Sequence, residues 1–172
     1  MLFNIDTFAF LYGDYEYFQW FKNKTKPNLK SVIKWKGLQR TRLYEKTKNR
    51  LKEGKIVSNG KFFESFKPVT RAFLHHLNDP KGYPILDINV FNAMIDLKPE
   101  YRNETTKTMC NWVKDYEKGY KLFFEDLYRN NKNAIKAPHL DGIELEIIKR
   151  RILDRALWEY GKILKLSKQN DC

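Results

Sequence analysis

Apolar residues recur at helical spacing along most of the chain, and no stretch alternates apolar and polar residues over a strand length. This pattern predicts helices and no sheet. We expect a short aromatic-rich helix over residues 14–22 and a second helix over residues 58–77, with a break or kink at Pro68. A third helix is predicted over residues 88–97, and Asp87 stands directly before it in the N-cap position.

The second half of the chain continues the same pattern. A long helix is predicted from a cap at Asn103 through Leu127, and a last helix follows Asp141, with Glu144 three residues later as in a capping box. The chain of 172 residues is long enough to bury one core, and no repeat or linker divides it. We therefore expect a single compact all-α domain of about six or seven helices over residues 1–172, with consecutive parts at 22–55, 58–98 and 103–168.

Composition excludes several classes of protein. Hydrophobic residues make up 42% of the chain and aromatic residues 15%, which disfavours a disordered or low-complexity protein. No apolar stretch reaches the roughly 20 residues that cross a bilayer, and the N-terminus lacks the features of a signal peptide. The two cysteines, Cys110 and Cys172, belong to no metal-binding pattern. We expect a cytoplasmic protein that needs no cofactor or metal and does not bind membranes.

Positive charge is concentrated in one segment, residues 22–55, which we call the basic block. The whole chain has a net charge of +12, and the basic block holds +11 of it, so the other 138 residues together carry only +1. This density indicates a polyanionic partner, most simply the phosphate backbone of DNA. Alternatively, these lysines and arginines lie on a solvent-exposed helix face and bind no partner. The residues of the block predicted to contact nucleic acid are Lys34, Trp35, Lys36, Arg40, Arg42 and Lys46.

Residues 73–91 have the sequence FLHHLNDPKGYPILDINVF, which resembles the junction of helix-hairpin-helix DNA glycosylases. In that superfamily a helix ends, a short loop passes through a proline, and a hydrophobic-Asp-x-His/Asn-Val element opens the next helix. The resemblance implies that Asp87 is the catalytic carboxylate and that Asn89 takes the place often held by His or Asn. His75 is a third catalytic candidate, although an apolar helix end more commonly holds a packed histidine.

Two further segments resemble small, divergent bacterial members of this superfamily: residues 33–36 (IKWK) and residues 153–162 (LDRALWEYGK). One element departs from the pattern, because the nearest counterpart of the glycine-rich hairpin, residues 64–72, contains no glycine. Thr70 stands where lyase-active members have a lysine. The resemblance therefore implies a degenerate hairpin and monofunctional hydrolysis, with Lys67, Thr70 and Arg71 as further candidates for contact with DNA.

The implied chemistry is consistent with these residue types. Cleavage of an N-glycosidic bond places positive charge on the sugar, which a fixed carboxylate stabilises while it orients a water molecule. The base must also leave the duplex and enter a pocket with an aromatic face. Aspartate is equally one of the commonest N-caps, so a purely structural Asp87 stays open.

Two other functions also stay open at this point. The first is a non-catalytic nucleic-acid-binding protein on a degenerate glycosylase-like scaffold, in phage defence, counter-defence or DNA maintenance. The second is a protein-interaction or toxin-like factor whose basic block contacts an acidic protein partner.

Overall fold

The computed structural model describes residues 3–8, 14–22, 67–101 and 111–170. These residues are predominantly helical and contain no strand, which confirms the all-α prediction for this part of the chain. The number of helices in the whole chain stays a prediction. Apart from Lys22, the basic block lies outside the described residues, as do the expected helix cap at Asn103 and both cysteines.

The helices follow one another along the chain with short connections. The first two are α1 (Ile5–Phe8) and α2 (Tyr15–Phe21), and they are followed after residue 67 by α3 (Pro68–Asn78) and α4 (Ile88–Leu97). A 3-10 turn (Pro99–Tyr101) comes next. A π-helix, π1 (Trp112–Tyr120), then continues directly into α5 (Lys121–Asn131), and the last helix is α6 (Leu145–Asn170).

Local sequence sets the starts of α3 and α4. Proline suits the first turn of a helix because its φ is fixed near the helical value and its missing N–H would have no partner there; Pro68 is accordingly the first residue of α3. Before α4, the Asp87 carboxylate accepts backbone N–H bonds from Asn89 and Val90. The predicted N-cap is therefore confirmed, and of the break or kink expected at Pro68 the structure shows a break, since Lys67 is not helical and Pro68 opens α3.

The start of α6 differs from the prediction. The helix begins at Leu145, and Asp141 lies in the preceding turn, where its carboxylate is 3.1 Å from the imidazole of His139. Gly142 has a φ of 75°, a left-handed conformation that a right-handed helix cannot include. The Glu144 carboxylate pairs with Lys81 instead of forming a capping box.

Helix α6 is the centre of the core. Its buried face packs against α4 and α1, and the side chains of Leu153, Ala156 and Leu157 are fully buried. The first turn of α4 crosses α6 at Gly161, where an added Cβ would lie 1.9 Å from the carbonyl oxygen of Asn89. Two of the segments that carry the glycosylase resemblance, residues 73–91 and 153–162, are therefore in contact. No helix in the described ranges is long and apolar enough to cross a membrane.

Candidate functional site

A cavity of about 360 Å³ lies between the N-terminus of α4 and the middle of α6. This volume falls at the lower end of the range for small-molecule sites in proteins. The wall combines two carboxylates, two guanidinium groups, one indole ring and two aliphatic side chains, so it offers both a stacking surface and charged groups. The lining residues are Ile85, Asp87, Val90, Arg151, Asp154, Arg155 and Trp158.

Asp87 caps α4 and lines this cavity at the same time. Its Oδ1 accepts both cap bonds, from the N–H of Asn89 at 2.7 Å and from that of Val90 at 3.1 Å. The cap therefore does not require Oδ2. The carboxylate also stands at the positive end of the α4 dipole. Both roles considered from the sequence, helix cap and carboxylate in a cleft, are compatible with this geometry.

The loop that leads to Asp87 is fixed by two buried side chains. Tyr116 donates its hydroxyl proton to the carbonyl oxygen of Pro84 at 2.8 Å, and His76 Nδ1 lies 2.6 Å from the carbonyl oxygen of Tyr83. Burial raises the pKa of Tyr116, so its hydroxyl stays a donor at neutral pH. The carbonyl groups of Tyr83 and Pro84 are thus bound by side chains from α3 and π1. These two contacts fix the loop and with it the position of Asp87.

A buried ion cluster contributes Arg151 and Asp154 to the wall of the cavity. The guanidinium of Arg151 bridges the carboxylates of Asp14 and Asp154, at 2.9 Å from Asp14. It also lies 4.7 Å from the centre of the Tyr17 ring. Burial alone would lower the pKa of Arg151, but the two carboxylates more than offset this and raise it. The cluster joins α2 to α6.

Trp158 supplies the aromatic wall of the cavity. The guanidinium of Arg155 lies 4.7 Å from its ring centre and the ammonium of Lys162 lies 5.2 Å from it. Arg155 is also paired with Glu159 at 2.8 Å. These contacts restrict the position of the indole ring.

The other two predicted catalytic residues lie apart from the cavity wall. His75 stacks on Tyr83, with ring centres 4.6 Å apart, and is not among the lining residues. Asn89 contributes its backbone, since its N–H binds Asp87 and its carbonyl faces Gly161. Of the three, the structure brings only the Asp87 side chain to the cavity.

The predicted nucleic-acid contacts divide into two groups. On α3, Lys67 is exposed, Thr70 is buried, and the Arg71 guanidinium lies 4.2 Å from the centre of the Trp112 ring. Lys34, Trp35, Lys36, Arg40, Arg42 and Lys46 all lie outside the described residues.

Sequence reasoning did not identify the cavity residues on α6. Asp154 and Trp158 stand in a segment used for the resemblance, but helical spacing alone does not distinguish a cavity wall from a packed core. The pairing of Arg151 with Asp14 spans 137 residues, so no local signal could have revealed it. No group of three or more His, Cys, Asp or Glu suited to a metal ion occurs in the part of the chain that the structure describes.

Comparisons with protein-family models, with curated proteins and with solved structures found no match to this chain.

Proposed function

We propose that this protein is a DNA-binding, monofunctional N-glycosylase of the cytoplasm that removes a modified base, with Asp87 as its catalytic carboxylate. The observation that supports this most is the double position of Asp87, whose Oδ1 caps α4 while the carboxylate lines a cavity of about 360 Å³. A carboxylate held this way needs little reorganisation when charge develops next to it.

The cavity suits a base that has left the duplex. Extruded bases are bound by stacking against aromatic and apolar side chains, and the cavity offers the indole of Trp158 with Ile85 and Val90. Arg155 and Asp154 supply a donor and an acceptor for the base edge. The cleft between α4 and α6 can therefore hold the base while Asp87 faces the sugar.

The reaction follows from this arrangement. The bond between the sugar C1′ and the base nitrogen breaks, and its electron pair leaves with the base. Asp87 stabilises the positive charge that develops on the sugar and takes a proton from the attacking water, whose oxygen bonds to C1′. That proton passes to the departing base. None of the described residues that line the cavity is a lysine, which favours water over an amine as the nucleophile.

Salt bridges neutralise the cations of the cavity wall. The Arg151 guanidinium lies between the carboxylates of Asp14 and Asp154, and Arg155 is paired with Glu159, so each guanidinium of the wall has a carboxylate partner. In a partly water-excluded cavity, the carboxylate of Asp87 stabilises a cationic sugar more strongly than it would in bulk water.

A strand-cleavage assay tests the proposal. The full chain is incubated with duplexes that each carry one modified base, and alkali then cuts the strand at abasic sites. We expect breaks with at least one base and their loss in Asp87→Asn. Asparagine is as good an N-cap as aspartate, so this variant removes the charge and keeps the cap.

Asp79→Asn is the matched control for this assay. Asp79 also accepts a backbone N–H through Oδ1, from Gly82 at 2.9 Å, and it does not line the cavity. Its variant should cleave like the natural chain. Binding to DNA without breaks for any base would instead favour a non-catalytic nucleic-acid-binding protein. Cleavage that survives Asp87→Asn would show that Asp87 is not the catalytic carboxylate.

A further inference from the structure

Five partly buried side chains form one continuous stack on α3, the loop after it, π1 and the start of α5. None of them lines the cavity. We call this stack the ring strip, and in order along it the members are Arg71, Trp112, His75, Tyr83 and Lys121.

The ring strip has a cation at each end and three aromatic rings between them. The Arg71 guanidinium lies 4.2 Å from the centre of the Trp112 ring, and that ring lies 5.5 Å from the ring of His75. The rings of His75 and Tyr83 are 4.6 Å apart and nearly parallel. The Lys121 ammonium stands 4.1 Å from the centre of the Tyr83 ring. Contacts of this kind order the two cations before any ligand arrives.

The charged side chains of α3 and π1 are mostly positive. Glu117 accepts a hydrogen bond from the Trp112 indole at 2.9 Å and is the exposed acid on π1, whereas Asp115 on the same helix is buried. Charge complementarity therefore favours a polyanion on this face. The exposed cations on this part of the chain are Lys67, directly before α3, and Lys114 and Lys118 on π1.

We propose that the ring strip is a second nucleic-acid contact surface, on which the backbone of a DNA duplex lies with one phosphate at Arg71 and another at Lys121. Stacking on Trp112 occupies a face of the guanidinium, and Nε is buried, so the N–H groups of the two terminal nitrogens are the ones proposed to bind phosphate oxygens. The side chains are already ordered, so less conformational entropy is lost when DNA binds. This surface lies outside the basic block and does not depend on any chemistry at Asp87.

The salt dependence of binding tests the ring strip. The full chain and the double variant Arg71→Gln/Lys121→Gln are titrated with an unmodified duplex over a series of salt concentrations. Each lost phosphate contact lowers the slope of log affinity against log salt by about 0.9. We expect the slope to fall by about 2 in the double variant.

Two further variants separate charge from structure. Arg129→Gln/Lys165→Gln removes the same charge from exposed positions on α5 and α6, and it should leave the slope nearly unchanged. Arg71→Lys keeps the charge at the ring strip, so its slope should match that of the natural chain.

Two outcomes would overturn the proposal. One is a slope that falls no further in the ring-strip variant than in the control double variant, and this result would leave the glycosylase proposal untouched. The other is a natural chain that binds an acidic polypeptide and not the duplex, which would overturn the DNA-binding part of the proposed function as well.

Discussion

Gly161 of α6 packs directly against the carbonyl oxygen of Asn89 in the first turn of α4, so closely that an added Cβ would lie 1.9 Å from that oxygen. Real Cβ atoms do not approach an oxygen at this distance. The glycine therefore allows α4 to lie against α6 at the point where Asp87, two residues before Asn89, joins the cavity wall.

Gly161→Ala should destabilise the protein by about 1–3 kcal/mol, because the methyl group must push α4 away from α6. At a solvent-exposed helix position the same change would stabilise the protein by up to about 1 kcal/mol. The sign of the change in unfolding free energy therefore distinguishes a close contact from an exposed position. Urea denaturation measures the difference. Lys165→Ala, at an exposed position of the same helix, should change stability by less than about 0.5 kcal/mol. A Gly161→Ala variant that is more stable than the natural chain would contradict this contact.

Arg151→Leu should destabilise the protein by about 3–5 kcal/mol, since it leaves the carboxylates of Asp14 and Asp154 buried without their shared guanidinium. If this variant fails to fold, Asp14→Asn gives a milder test, because asparagine can still accept a bond from Arg151. The free energy of unfolding from denaturant titration is the readout. Losses below about 1 kcal/mol in Arg151→Leu would mean that the cluster is not desolvated.

The stability of the protein should fall as the pH drops below 6.5, in part because of His75. Burial lowers the pKa of His75 first, the cations of Arg71 and Lys121 lower it further, and Glu117 acts in the opposite sense. The folded chain therefore favours the neutral ring, whereas the unfolded chain takes up a proton near pH 6.5. The contribution of the neutral His75 ring to folding stability is fully present above pH 6.5, and it is lost as the pH falls towards the pKa of His75 in the folded chain.

NMR titration of the His75 ring measures that pKa directly, and the unfolding free energies at pH 7.5 and 5.5 give the stability effect. His75→Gln should show a smaller loss between these two pH values. Bound duplex should raise the pKa of His75, because phosphates would offset the charges of Arg71 and Lys121. A titration at or above pH 6.5 in the free protein would contradict this account of its surroundings.

Much of the fold could be predicted because its signals are local. The apolar spacing and the aspartate before residue 88 are enough to define α4. The start of α6 was missed because the left-handed turn at Gly142 depends on backbone conformation and not on hydrophobic spacing. In π1, Trp112, Tyr116 and Tyr120 recur at a spacing that an α-helix also allows, so the pattern could not predict a π-helix.

Less of the candidate site could be predicted, because it depends on contacts between distant segments. Asp87 was identified from its sequence surroundings. Asp154 lines the cavity because α4 crosses α6 there. Arg151, which pairs with Asp154, also binds Asp14, and 137 residues separate Arg151 from Asp14 in the sequence. His75 was expected at the catalytic site, but the rings of Tyr83 and Trp112 hold it in the ring strip.

The proposed role of Asp87, to stabilise positive charge on a sugar held at the cavity, can be tested without knowing which base is removed. Two duplexes are compared that differ at one abasic position, where one carries a pyrrolidine ring that is protonated at neutral pH and the other a neutral tetrahydrofuran ring. The first resembles the charged transition state, which an enzyme binds more tightly than the ground state.

Equilibrium binding of both duplexes to the natural chain is the decisive measurement. We expect the pyrrolidine duplex to bind at least about tenfold more tightly, and we expect this preference to disappear in Asp87→Asn and to persist in Asp79→Asn. Equal affinity of the natural chain for the two duplexes, or a preference that survives Asp87→Asn, would contradict the account.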